Sequence, residues 1–125
     1  MELPENFILI DKPTGITSFD VIRRLRKQTN IKKWGHAGTL DPAASGLMIL
    51  AHDAGTKRLT EFIKLDKEYE AEIILGRSTI TGDRDGEVLE EQTAEISQSE
   101  ISAVLPHLIG TLTLPVSAYS AIKVD

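Results

Sequence analysis

The 125 residues are 41% hydrophobic and 26% charged, enough for one compact core burying roughly two-thirds of the surface of the unfolded chain. There is no cysteine, which excludes a disulfide framework, thiolate metal ligation and a cysteine nucleophile, and permits a reducing compartment. The net charge of −5 argues against a polyanionic partner only until it is divided: residues 1–67 carry 11 Lys and Arg against 8 Asp and Glu, net +3, and residues 68–125 carry 3 against 11, net −8.

Met1-Glu2-Leu3-Pro4-Glu5 has no basic leader and no apolar run approaches the ~18 residues of a membrane span, so the chain reads as soluble and untargeted. Asn6 to Ile10 is a short apolar run that predicts a buried strand, stopped by Pro13 and Gly15. Thr17 or Ser18 then caps a helix with Phe19, Val21, Ile22 and Leu25 inward and Asp20 in its first turn. Between Asp20 and His36 stand Arg23, Arg24, Arg26, Lys27, Lys32 and Lys33, a basic stripe that attracts phosphates or simply forms a solvated helix face.

Trp34 to Leu40 is punctuated by glycine and has no clear period. Gly46 to Ala51 is continuous and apolar, of strand length. A second helix is expected from Thr56 to Lys64. At Lys67 to Ile73 the glutamates 68, 70 and 72 alternate with Tyr69, Ala71 and Ile73, which predicts a half-buried strand with Tyr69 on its inner face. Asp83-Arg84-Asp85-Gly86-Glu87 is too short a ligand string for calcium and its glycine is misplaced, so it reads as an Asp-Gly hairpin turn. Ser97 and Glu100 have capping-box spacing ahead of Ile101, Val104, Leu105 and Leu108, and Tyr119 to Val124 is strand-like. Strands interleaved with single helices predict an α+β fold with a mixed, largely antiparallel sheet flanked by helices.

Chemistry concentrates in Gly35-His36-Ala37-Gly38-Thr39-Leu40-Asp41-Pro42, which sets an imidazole and a carboxylate among glycines. Pro42 restricts Asp41 to extended backbone, presenting the carboxylate on a stiffened loop; a turn aspartate bonding its own backbone is the competing reading, as a surface histidine is for His36. No second carboxylate stands at glycosidase spacing, and there is no nucleophile elbow, P-loop or H-E-x-x-H.

Gly35-His36-Ala37-Gly38-Thr39-Leu40-Asp41-Pro42-x-Ala44-x-Gly46-Leu47 closely resembles the catalytic motif of the TruB family of tRNA pseudouridine-55 synthases. In the same order, Asp11-Lys12-Pro13-x-Gly15-x-Thr17-Ser18 resembles that family's first motif, Lys67-x-Tyr69-Glu70-Ala71 its tyrosine strand, Leu75-Gly76-x-x-Thr79-x-Thr81-Gly82-Asp83 the segment after it, and Tyr119-Ser120-Ala121-Ile122-Lys123 a later strand. The stretch Leu114-Pro115-Val116-Ser117-Ala118 departs from the family's usual Gln-x-Pro-Pro-x. The resemblance implies that residues 1–125 are the N-terminal part of a pseudouridine synthase catalytic domain, truncated, its C-terminal remainder and an arginine that pairs with the catalytic carboxylate being absent.

It further implies a uridine-to-pseudouridine isomerase acting at position 55 in the T loop of tRNA, with base flipping and with neither cofactor nor metal. Asp41 matches the catalytic aspartate, either nucleophile or base, Tyr69 the ring stacked on the target uracil, and His36 the histidine against displaced nucleotides. Lys12 is taken as a substrate-binding residue or a support beneath the loop, while Arg23, Arg24, Lys27, Lys32 and Lys33 would follow the RNA backbone. A cytoplasmic monomer is expected, with the tRNA T stem-loop as partner, no membrane and no required protein partner. The alternatives are a non-catalytic tRNA-binding module on a truncated synthase fold and a hydrolase using Asp41 alone.

Overall fold

Asn6 takes the left-handed backbone region (φ 69°) and turns the chain into β1 (Phe7–Lys12). In the computed structural model, which describes residues 3–114, the Cα positions form two compact units, Met1–Tyr69 and Glu70–Asp125. The first unit contains a three-stranded antiparallel sheet in which β3 (Gly46–His52) lies between β1 and β2 (Trp34–His36). Phe7 faces Ala51 and Lys12 faces Gly46 across one edge of β3; Trp34 faces His52 and His36 faces Leu50 across the other.

Successive strand side chains point to opposite faces, so this register sorts the apolar residues into two layers. Ile8, Ile10, Trp34, Met48 and Leu50 meet Val21, Ile22 and Leu25 of α1 (Ser18–Thr29). On the other face Phe7, Ala37, Ile49 and Ala51 meet Leu59 and Phe62, delivered by a 3-10 segment, Asp53–Arg58, and the single-turn helix α2 (Thr60–Ile63). The Phe7 and Phe62 rings are 4.9 Å apart. Gly35 permits this closure: a Cβ there would lie 2.8 Å from Leu59 Cδ1. The expected helix from Thr56 to Lys64 is thus replaced by a 3-10 turn and a short α-turn.

Of the two candidate caps, Thr17 is the one used. Its hydroxyl accepts from the Asp20 N–H at 3.0 Å while the Asp20 carboxylate accepts from the Thr17 N–H at 2.8 Å. The helix stops at Asn30, in the left-handed region, whose N–H reaches the Arg26 carbonyl. Phe19, expected inward, is exposed: it flanks the buried stripe and shares its side of the helix with Arg26 two turns on, whose guanidinium lies 5.8 Å from the ring centre.

The second unit contains the antiparallel hairpin of β4 (Arg77–Thr79) and β5 (Val88–Glu91), then α3 (Gln98–Val104) and a 3-10 turn, Leu105–Leu108. Ser97 and Glu100 form the expected capping box. The hairpin is present, but its loop is organised by Asp83, whose Oδ1 accepts from the Thr81 hydroxyl and the Asp85 and Gly86 N–H groups at 2.7, 3.0 and 3.1 Å. These bonds hold the Asp83 carboxyl below its usual range, the Thr81 hydroxyl contributing most.

A further expectation is overturned. Residues 67–73 form no strand, and Tyr69 is 71% exposed and not on an inner face. A two-residue period selects a buried face only when a second strand completes the ladder, and among the described residues none pairs with this segment. The strand expected at Tyr119 to Val124 lies outside the described residues. Every strand pair described is antiparallel, giving a small α+β architecture.

Candidate active site

The loop carrying Asp41 is fastened on both sides. Before it, the Ser18 hydroxyl accepts from the Leu40 N–H at 2.9 Å and donates to the Leu40 carbonyl at 3.0 Å. After it, the Pro42 carbonyl accepts from the Gly15 N–H at 2.7 Å and from Lys12 Nζ at 3.5 Å. The Ala44 N–H closes a turn on the Asp41 carbonyl at 3.0 Å. Gly38, at φ 144°, bends the approach in a region that disfavours a side chain. Asp41 itself is exposed, and among the described residues its carboxylate makes no hydrogen bond or ion pair; its placement comes through the backbone alone.

Lys12 has no exposed surface, and Nζ donates to the carbonyls of Pro13 (3.0 Å), Ile16 (2.8 Å) and Pro42. Of the two expectations for Lys12, this geometry fits the support beneath the loop and not the side chain free to contact substrate. The side chain joins the first motif to the loop behind Asp41 and presents nothing to a ligand. Ser18 and Gly15 were missed as site residues. The available signal was the adjacent pair Thr17-Ser18: one hydroxyl caps the helix, leaving the other free for another part of the chain.

A groove of about 610 Å³ lies on the α2 face of the sheet, entirely within the first unit. Leu47, Ile49, Phe62, Ile63 and Leu65 supply its apolar floor, and Gly38, Thr39 and Leu40 line the side that leads to Asp41. Tyr69 lines the groove as well, from an exposed segment steadied by Lys67, whose Nζ donates to the Ile63 and Leu65 carbonyls at 2.7 and 2.8 Å. The structure thus brings Tyr69 and the approach to Asp41 to one groove; Asp41, His36 and Lys12 are not among its lining residues.

His36 is partly buried, opposite Leu50 on the α1 face, and its Nδ1 is buried without a partner, as is Nε1 of Trp34 two residues earlier. The Trp34 ring lies 5.0 Å from that of His52 at a tilt of 54°, and His52 pairs with Asp53 at 3.0 Å. Arg23, Arg24, Lys27, Lys32 and Lys33 are all exposed, and Arg23 pairs with Asp20 of the capping box. The described residues contain no cluster of three or more metal-ligating side chains, and no described helix is long and apolar enough to cross a membrane.

A fastened loop that carries an exposed aspartate, next to a groove with an apolar floor and an aromatic ring, has the make-up that suits a planar, uncharged group next to a polar one. Residues 26–125 match the family profile described as TruB family pseudouridylate synthase (N terminal domain), and the chain belongs to that family. It is 46% identical over 122 residues to tRNA pseudouridine synthase B of Opitutus terrae, and 41% identical over 122 residues to that of Corynebacterium diphtheriae. These alignments take in 97% and 94% of this chain but 51% and 41% of the two relatives, so the chain spans about half the length of the curated relatives it matches. A chain from the structure of an H/ACA RNP bound to a substrate RNA containing 2'-deoxyuridine is 40% identical over 44% of this chain and 17% of its own, with a TM-score of 0.43.

Proposed function

We propose that this chain acts on the T loop of tRNA and isomerises uridine 55 to pseudouridine, with Asp41 as the catalytic carboxylate. The observation that supports the reading is the backbone clamp on Leu40 and Pro42, which fastens the loop carrying the motif's carboxylate, unpartnered among the described residues, next to the Leu40 side of the Tyr69 groove. The family membership and the relatives' shared name, tRNA pseudouridine synthase B, support the reaction class.

In this reading the target nucleotide leaves its stack, at a cost of a few kcal/mol, and the base enters the groove against Tyr69. The N1–C1′ bond breaks, C5–C1′ forms, the C5 proton leaves to solvent and N1 takes one up, so the product is an isomer. An ionised Asp41 serves either as nucleophile at C1′ or as the group that stabilises its developing positive charge. The atoms balance without cofactor or metal. His36 meets the displaced nucleotides, and Arg23, Arg24, Lys27, Lys32 and Lys33 follow the phosphates. The protein works as a cytoplasmic monomer.

The half-length coverage of the relatives favours one second reading, a tRNA-binding module without turnover. Tritium release from a T stem-loop RNA labelled at uridine C5 separates the two. Isomerisation releases the label to water, whereas tight binding with no release supports the module. Free uracil and an abasic RNA would instead identify the hydrolase.

A further inference from the structure

We propose that Ser18 is a positioning residue for Asp41, holding the catalytic loop in its working geometry through the Leu40 peptide. This inference rests on the assignment of Asp41 as the catalytic carboxylate and adds what sets its place.

Three observations converge. Ser18 is 3% exposed, yet its hydroxyl is not spent on the helix it begins, because Thr17 makes the N-cap and Asp20 completes the box. That hydroxyl instead accepts from the Leu40 N–H and donates to the Leu40 carbonyl, so one side chain saturates both backbone groups of the residue preceding Asp41. The Asp41 carboxylate has no side-chain partner among the described residues, so its place is set by the backbone: Pro42 and Ala44 hold the loop after it, and Ser18 alone holds the Leu40 peptide before it through a side chain.

The position is also economical in its consequences. Ala is a good helix former, and removal of the hydroxyl at 18 leaves the cap at Thr17 untouched. The loss therefore falls on the loop. A catalytic group is effective only when held within about 0.5 Å of its productive place, so loosening Leu40 lowers the rate of the chemical step and spares RNA binding, which other surfaces supply.

The test uses the 125-residue chain, 15N-labelled, with Ser18→Ala and Ser18→Thr. In Ser18→Ala the Leu40 amide should exchange at least about tenfold faster, and the Asp41 order parameter should fall from about 0.85 to below about 0.6. The β3 amides of Leu50 and Ala51 should stay within about twofold, which separates a local release from general destabilisation. Ser18→Thr, which returns the hydroxyl, should restore both Leu40 and Asp41. If Ser18→Ala frees Leu50 and Ala51 as well, Ser18→Cys, which keeps the volume with a weaker donor, takes its place in the comparison. Single-turnover tritium release should slow about tenfold in the Ala variant with RNA affinity within about twofold.

Unchanged Leu40 exchange and Asp41 order in the Ala variant overturn the inference. Asp41→Asn distinguishes this from failure of the functional reading. An Asn variant that releases tritium at the wild-type rate removes Asp41 from the chemistry, whatever Ser18 does to the loop. A dead Asn variant beside a rigid Ser18→Ala loop removes only Ser18.

Discussion

Lys12 takes a long cationic side chain to a position with no exposed surface, and the structure accommodates it by placing carbonyls of Pro13, Ile16 and Pro42 around Nζ. Lys12→Met keeps most of the volume and leaves those acceptors without their donor, so it should destabilise the chain by about 2–3 kcal/mol in urea unfolding. A change below about 0.5 kcal/mol would mean that the carbonyls find other donors. Much at this scale was legible. The glycines, the Asp41-Pro42 pair and the two hydroxyls at 17 and 18 were visible as residues. A supporting place for Lys12 beneath the loop was an expectation, and two of its carbonyl partners, Pro13 and Ile16, are local; the contact of Ser18 with residue 40 was not legible, since no local spacing encodes a partner so far along the chain.

Local patterns were read well where the neighbours in sequence are the partners in space. The capping box at Ser97, a helix N-terminus at Thr17 or Ser18, the helix after each and the strand at Gly46 all follow from spacing within a few residues. The strand at Lys67 to Ile73 failed because its pairing is not local: alternation states which face a strand would bury and does not supply the strand beside it. The hairpin loop between β4 and β5 yields a prediction with a defined sign. Its Asp83 carboxyl is held below the ordinary 3.8, first by the Thr81 hydroxyl, so the ionised form is the one the native loop favours. The contribution is complete above that ordinary value and is lost as pH falls through the lower native one. Asp85 and Gly86 amide shifts should therefore stay constant from pH 7 down to about pH 5 and move only below about pH 4. Movement centred above pH 5 would contradict the three hydrogen bonds to Asp83.

The whole molecule divides its charge as the sequence indicated, with the first unit basic and the residues beyond 67 strongly acidic. All five residues expected along the RNA backbone are exposed, and among the described residues only Arg23 of the five pairs with an acid, Asp20. Replacing Arg24, Lys27 and Lys33 by Ala should weaken T stem-loop binding and reduce the slope of log affinity against log salt by about 2–3, close to one for each phosphate no longer neutralised. The change of Arg77 and Arg84 to Ala should leave the slope as it was; an equal loss of slope per charge removed in the two sets would remove the α1 basic stripe and Lys33 from the RNA surface. The central claim is that Asp41 performs the chemistry, and it is tested most directly by single-turnover tritium release from C5-labelled T stem-loop RNA with wild-type and Asp41→Asn chains under saturating protein. The account predicts release by the wild type and none by the Asn variant, with RNA affinities within about threefold of each other; release by the Asn variant at the wild-type rate would contradict it.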